Sequence, residues 1–100
     1  MYVHSVFFYL KKELTNEQRI AFKGGCDSLA TSENVSQSFV GVPAVLERSV
    51  VDGSYDFSLT FIFNSKIEHD KYQVEPIHHA FIKEFESYWE RVQVYDAVDG

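Results

Sequence analysis

Tyr72, Pro76 and His78 fall within one short stretch, and a further histidine, His4, lies near the start of the chain. An imidazole that is neutral near pH 7 can take a proton from an acidic carbon or a hydroxyl. A phenol hydroxyl beside it can hold the oxyanion that develops. His78 as base with Tyr72 as its donor is the chemistry these residue types could carry. The blander alternative gives His78 a backbone partner at a helix start, lets Tyr72 cover a loop and leaves His4 as a satisfied core residue. Helical position separates the two adjacent histidines. His78 precedes Phe81 by three residues, Ile82 by four and Phe85 by seven, at the margin of an apolar stripe, whereas His79 aligns with Lys83, Glu86 and Glu90 and is expected in solvent. Neighbouring histidines cannot share one helical face, and no Cys or His pair has the spacing of a closed zinc site, so no metal is expected. No phosphate-cradling glycine loop, nucleophile elbow or dinucleotide fingerprint is present, and no cofactor is expected either.

The elements that must position these groups follow from periodicity. Tyr2 to Leu10 is rich in Val, Phe and Tyr and predicts a first strand, with His4, Val6, Phe8 and Leu10 on one face and Val3, Ser5, Phe7 and Tyr9 on the other. Thr15 with Gln18 is a capping-box pattern that starts a helix running toward Leu29, with Phe22, Cys26 and Leu29 on its stripe. Gly24 and Gly25 weaken that helix by about 1 kcal/mol each relative to Ala and predict a frayed or bent end. Val35 to Val42 reads as a second strand. Pro43 to Tyr55 reads as an irregular connection or extended arm with a turn at Asp52 and Gly53. Asp56 to Phe63 alternates, with Phe57, Leu59, Phe61 and Phe63 on one side, and predicts a central strand. Ser65 with Glu68 starts a short polar helix that must stop before Pro76. Ile77 to Arg91 carries Ile77, Ala80, Phe81, Phe85, Tyr88 and Trp89 at helical spacing, and Val92 to Val98 returns to alternation. The order βαββαβ is that of a ferredoxin-like α+β fold, a four-stranded antiparallel sheet with helices on one face.

One hundred residues, 45% apolar and 16% aromatic, make a single domain spanning 1–100 with one modest core. A net charge of −6 without a basic cluster opposes binding to nucleic acid or to an anionic membrane. No run is long enough to span a bilayer, no leader pattern precedes the first strand, and the lone Cys26 suggests a small core residue, so a cytoplasmic location is expected. The sheet face away from the helices would carry Val3, Phe7, Tyr9 and Ile62. An apolar face of that kind usually marks an association surface, and two such faces packed about a twofold axis predict a homodimer. The alternative is that the Pro43 to Tyr55 segment folds across that face within one chain.

Val3 to Lys11, the Tyr55 to Phe63 strand, Pro76-Ile77-His78-His79-Ala80-Phe81 and the closing Val92 to Asp96 together resemble the stress-responsive dimeric α/β barrel (Dabb) family. The resemblance implies a homodimer whose two sheets close a barrel, with a separate cavity between sheet and helices in each protomer. Some plant members are polyketide cyclases that use a histidine in the Pro-x-His element as base and a tyrosine shortly before it to orient the substrate. His78 and Tyr72 fall on those positions, and His4 matches a cavity histidine of the first strand. The chain differs from the cyclases at Phe57, where they carry a histidine, from many relatives at Glu75, where they carry a histidine before the proline, and near Cys26, where a cyclase carries a cavity tyrosine. These differences bear on the particular cyclisation and leave a hydrophobic pocket intact. The expected function is a homodimer that binds a small apolar or aromatic molecule in a pocket lined by His4, Phe57, Tyr72, His78 and Phe81, with cofactor-free proton transfer as its enzymatic version. The alternatives are a non-catalytic structural or stress-protective module and, more remotely, a barrel-type monooxygenase.

Overall fold

A computed structural model describes every residue from Met1 to Gly100. The elements are β1 (Tyr2–Leu10), α1 (Asn16–Leu29), β2 (Gln37–Gly41), β3 (Phe57–Phe63), α2 (Lys66–Gln73), α3 (Pro76–Phe85), a 3-10 turn (Glu86–Tyr88) and β4 (Trp89–Val98). The strands form one antiparallel sheet in the order β2-β3-β1-β4, so β3 and β1 are central. The fold is ferredoxin-like, as the sequence predicts.

Alternation along β1 decides the layering. Tyr2, His4, Val6, Phe8 and Leu10 are buried beneath the helices, and the intervening residues are half-buried rather than wet. On α1, Thr15 accepts from the Gln18 amide at 3.1 Å and the Gln18 side chain accepts from the Thr15 amide at 2.8 Å, which closes the expected capping box. The stripe Phe22, Cys26 and Leu29 is buried, and α1 runs unbroken across both glycines to Leu29. Ser65 caps α2 by accepting from the Ile67 amide, and its hydroxyl donates to Glu68. Pro76 occupies the first turn of α3, where its missing N–H and fixed φ suit a helix start.

Three expected boundaries shift. The second strand is shorter than Val35 to Val42, pairing with β3 only over Gln37–Gly41. The third begins at Phe57, because the Asp56 carboxylate is taken up by the Leu10 amide at 2.7 Å and by Arg19 at 3.3 Å. The last helix ends at Phe85 and not at Arg91, since Phe85, Tyr88 and Trp89 keep a helical spacing while the chain tightens into the 3-10 turn and passes into β4. A β-bulge follows this change. Phe8 pairs with Val92 and Tyr9 with Arg91, but Leu10 pairs with Trp89, so one extra residue, Glu90, lets the indole face inward.

Phe22 is fully buried and meets Phe8 at 5.0 Å and Phe85 at 5.5 Å, both edge to face, together with Phe57 and Phe81 at 5.7 Å. Edge-to-face aromatic pairs contribute about 0.5–1.5 kcal/mol beyond area burial, so this cluster is the main clamp between helices and sheet. The two α1 glycines differ sharply against it. A Cβ at Gly24 would meet nothing within 4 Å, whereas one at Gly25 would collide with the buried ring of Phe85. Gly24→Ala is therefore expected to stabilise by about 0.5–1 kcal/mol, from helix propensity. Gly25→Ala should destabilise by about 1–3 kcal/mol through overpacking. Urea unfolding of the two variants checks the pair, and equal effects of one sign would contradict the packing described.

Candidate functional site

The helices do not close on the sheet along its whole length. A cavity of about 140 Å³ remains over β1 and β4, with Val6, Phe8, Leu59 and Val94 along its floor and Phe81 and Ile82 of α3 above. Its polar groups gather at one side: His4 from β1, Tyr72 and Gln73 from α2, and His78 from α3. Four of the five residues expected to line a pocket therefore meet at one cavity. Phe57 does not. It lies on the inner face as expected, but at the start of β3 under Phe22, packed into the aromatic cluster rather than facing the space over β4.

Each polar group is held differently. His4 Nδ1 lies 2.6 Å from Asp96 Oδ1, and the Tyr2 hydroxyl donates to Asp96 Oδ2 at 2.8 Å. Burial lowers the His4 pKa against the pull of Asp96. Burial also works against the Asp96 carboxylate, but the hydrogen bonds from His4 and Tyr2 outweigh it and hold the acid below its ordinary range. The pair is thus neutral imidazole with ionised carboxylate, which assigns the proton to Nδ1 and leaves Nε2 as the ring's acceptor.

Tyr72 is 1% exposed, and burial, aided by nearby Cys26 and Glu75, raises its hydroxyl well above the ordinary range. It stays a protonated donor at any working pH. Its ring meets that of His78 edge to face at 5.1 Å. His78 Nδ1 is the one buried side-chain nitrogen or oxygen without a hydrogen-bond partner. Burial, reinforced by the His79 and His4 imidazoles, lowers the His78 pKa, so the ring is neutral at pH 7 with basic capacity.

Glu75 points elsewhere, accepting from Ser32 Oγ and from Asn34 Nδ2 at 2.5 Å each, and ties the end of α1 to the α2–α3 junction. Cys26 is a buried free thiol whose pKa burial pushes up to about 12, so it is an inert core residue. Sequence reasoning missed Asp96, Gln73, Val94 and the inward-facing Trp89, and also His69 of α2, whose ring lies 5.2 Å from that of His4. One nitrogen of His4, one of His69 and a carboxylate oxygen of Asp96 lie within 4.8 Å of one another, a set that could hold a metal ion.

A four-stranded ferredoxin-like sheet, with helices on one face and a cavity lined by histidine and tyrosine between them, defines a small α+β domain of the ferredoxin-like class. The chain matches the model of the Stress responsive A/B Barrel Domain over residues 3–99, and it belongs to that family. Among solved structures, a Dabb family protein with a ferredoxin-like fold from Mesorhizobium loti is 20% identical, with a TM-score of 0.80 over 98% of this chain and 95% of the other. A dimeric ferredoxin-like protein of unknown function from Thermobifida fusca is 16% identical, with a TM-score of 0.79 over 98% and 90%. A hydroxynitrile lyase from Passiflora edulis is 22% identical, with a TM-score of 0.80 over 99% and 93%. At these identities the likeness is one of fold. No protein of curated function matches the sequence. No helix is long and apolar enough to cross a membrane.

An unpartnered buried nitrogen costs about 1–3 kcal/mol, so His78→Leu, which replaces the ring by an apolar group of similar size, is expected to stabilise the fold by about 1 kcal/mol. In the native chain the unfolded state binds more protons than the folded state below the ordinary histidine pKa of 6.5, so stability falls as pH drops through that value. The variant should lose part of this slope, and His4, whose pKa is also lowered, should supply the remainder. Thermal unfolding between pH 7.5 and 5 measures both effects. A destabilised variant with an unchanged slope would refute the assignment of a neutral, unsatisfied imidazole.

Proposed function

We propose that the protein binds one small, largely apolar or aromatic molecule in the cavity, with His78 accepting a hydrogen bond or a proton from it and Tyr72 donating to its oxygen. The observation that carries this reading is the cavity itself, which is mostly apolar and brings His4, Tyr72 and His78 together along one side. Buried polar atoms in folded proteins are nearly always paired, and a turn of the His78 ring toward a ligand in the cavity would give its unpartnered Nδ1 the partner it lacks. The size of the space restricts the class. Apolar cavities of about 150 Å³ accept a benzene-sized ring, so about 140 Å³ suits a single substituted ring or a short-chain carbonyl compound rather than an extended polyketide.

In the enzymatic form of this reading, neutral His78 removes a proton from a hydroxyl or from the carbon next to a carbonyl. Tyr72 holds the oxygen on which charge develops. No cofactor enters the step. The presence of a hydroxynitrile lyase among proteins of this fold supports a pocket suited to small oxygenated molecules, and the match of His78 and Tyr72 to the cyclase positions supports the same pair of roles.

The same reading includes a homodimer. Tyr95 of β4 and Phe39 of β2, both on the sheet face away from the helices, are 62% and 64% exposed in the single chain. The connection after β2 adds exposed Val45, Leu46 and Val50. Tyr55 from that connection packs on Phe7 at 4.9 Å, so one chain covers part of its own face and leaves the rest apolar and open. The dimeric structural neighbour from Thermobifida fusca supports pairing of two copies.

A thermal-shift screen with benzoate, benzaldehyde, mandelonitrile and short β-diketones is expected to find at least one compound that raises Tm by several degrees at 1 mM. His78→Leu and Tyr72→Phe should each weaken that ligand about tenfold, the effect of one hydrogen bond to a buried group. A folded protein that no such compound stabilises would instead favour an assembly role for the domain.

Sedimentation should give the mass of two chains. Tyr95→Asp, which a twofold interface would bring in as two facing charges, should shift the protein to a single chain that keeps its far-UV spectrum. A single chain at all concentrations for the native protein would remove the dimer from this reading.

A further inference from the structure

We propose that His4, His69 and Asp96 form a site for one divalent transition-metal ion, best suited to Zn2+. The three donors come from β1, α2 and β4, and their ligand atoms lie within 4.8 Å of one another. Two imidazoles and one carboxylate are a donor set that three-ligand zinc sites use, with a water completing the tetrahedron. The absence of a thiolate directs the site away from softer ions such as Cu(I).

Outer partners already orient each donor as a metal site requires. His69 Nδ1 lies 3.1 Å from Asp70 Oδ1, which takes its proton, and Nε2 accepts from Gln73 Nε2 at 3.4 Å, a long contact that an ion bound at Nε2 would displace. The Tyr2 ring stacks on His69 at 4.2 Å and 23°, fixing the plane of the imidazole, and the Tyr2 hydroxyl holds the second oxygen of Asp96. His4 Nδ1 and Asp96 Oδ1, at 2.6 Å, are bridged by a single proton. An ion replacing that proton needs donors about 3.3 Å apart for bonds of about 2.0 Å in a tetrahedron. For this pair the opening is under an ångström, which Asp96, on an edge strand and a third exposed, can provide by side-chain rotation, while the distances to His69, within 4.8 Å, close toward the same spacing. Binding at Nδ1 would move the proton of the neutral His4 ring to Nε2, so the imidazole and the ionised Asp96 enter the site in the forms they already hold. The site borders the cavity through His4 but does not require a cavity ligand.

The test uses the tag-free full chain, stripped with chelator and titrated with Zn2+ alone. One ion per chain is expected, with Tm raised by about 10 °C at a free concentration a hundredfold above Kd. His69→Gln and Asp96→Asn should each weaken binding by about 100-fold or more, beyond the effect of losing an outer partner. His79→Gln, at an exposed histidine outside the cluster, should leave it unchanged. Imidazole nitrogen resonances provide a readout in the native chain, independent of whether the variants fold. At one equivalent those of His4 and His69 should move while those of His79 stay. Absence of a stoichiometric ion, or binding that moves His79 instead of His4 and His69, would overturn the site. Ligand binding in the cavity is measured without metal, so either result stands apart from the function proposed above.

Discussion

The packing of Phe22 is the interaction on which the rest of the molecule depends. It projects from α1 into the space shared by Phe8 of β1, Phe57 of β3, and Phe81 and Phe85 of α3. Rings that meet edge to face cannot slide past one another without losing contact, so this cluster sets the height of the helical roof above the sheet at one end. Gly25 admits Phe85 to the surface of α1, which completes the wedge. At the other end the roof is carried by Tyr72 and His78, whose polar atoms cannot be packed against hydrocarbon without loss. The height fixed by the aromatic end therefore persists as space at the polar end, and the cavity follows from the difference in what the two ends can bury.

The histidines of that polar end sit in contrasting states. His4 has its charge partner, and that partner is held in turn by Tyr2, so the triad is a closed network that adds to the stability of β1 and β4. His78 has no such arrangement for Nδ1. Against a net stability of about 5–15 kcal/mol for a domain of this size, one orphaned buried nitrogen is a noticeable fraction. A chain that binds His4 Nδ1 to a carboxylate held in turn by Tyr2 has no general difficulty in pairing buried nitrogens. The contrast sets His78, with an unpaired buried nitrogen, apart from His4, whose Nδ1 is bound across the sheet to Asp96.

How much of this was legible in the sequence depends on how local each determinant is. The strand at Tyr2–Leu10, the capping box at Thr15 and Gln18, and the stripe Phe22, Cys26 and Leu29 are short-range patterns, and they reappear with the boundaries they predict. The end of α3 is not local in that sense. Tyr88 and Trp89 continue the spacing of Ile77, Phe81 and Phe85, and only pairing with β1 draws Trp89 into a strand. Asp96 and His69 escaped for a stronger reason. Asp96 reaches His4 across ninety-two positions of sequence, through a strand register that no local period encodes, and His69 reads as part of a polar helix. Phe57 was placed on the correct face but at the wrong end, since alternation specifies a face and says nothing about position along it.

The register of β1 then becomes the condition for both sides of the sheet. Its even residues Val6 and Phe8 form the cavity floor, and its odd residues Val3, Phe7 and Tyr9 form the opposite face. Because the side-chain period is two, a slip of one residue would exchange these sets and bury the wrong face under the helices. Both faces are apolar, so hydrophobicity alone discriminates weakly between the two registers. Polar pins can do so where grease cannot. Tyr2 and His4 both reach Asp96, and the Leu10 amide reaches Asp56, so contacts at the two ends of β1 are satisfied in one alignment and lost in the other. A strand that serves two apolar surfaces needs this kind of specification, and the His4–Asp96 pair supplies it at the position where the cavity begins.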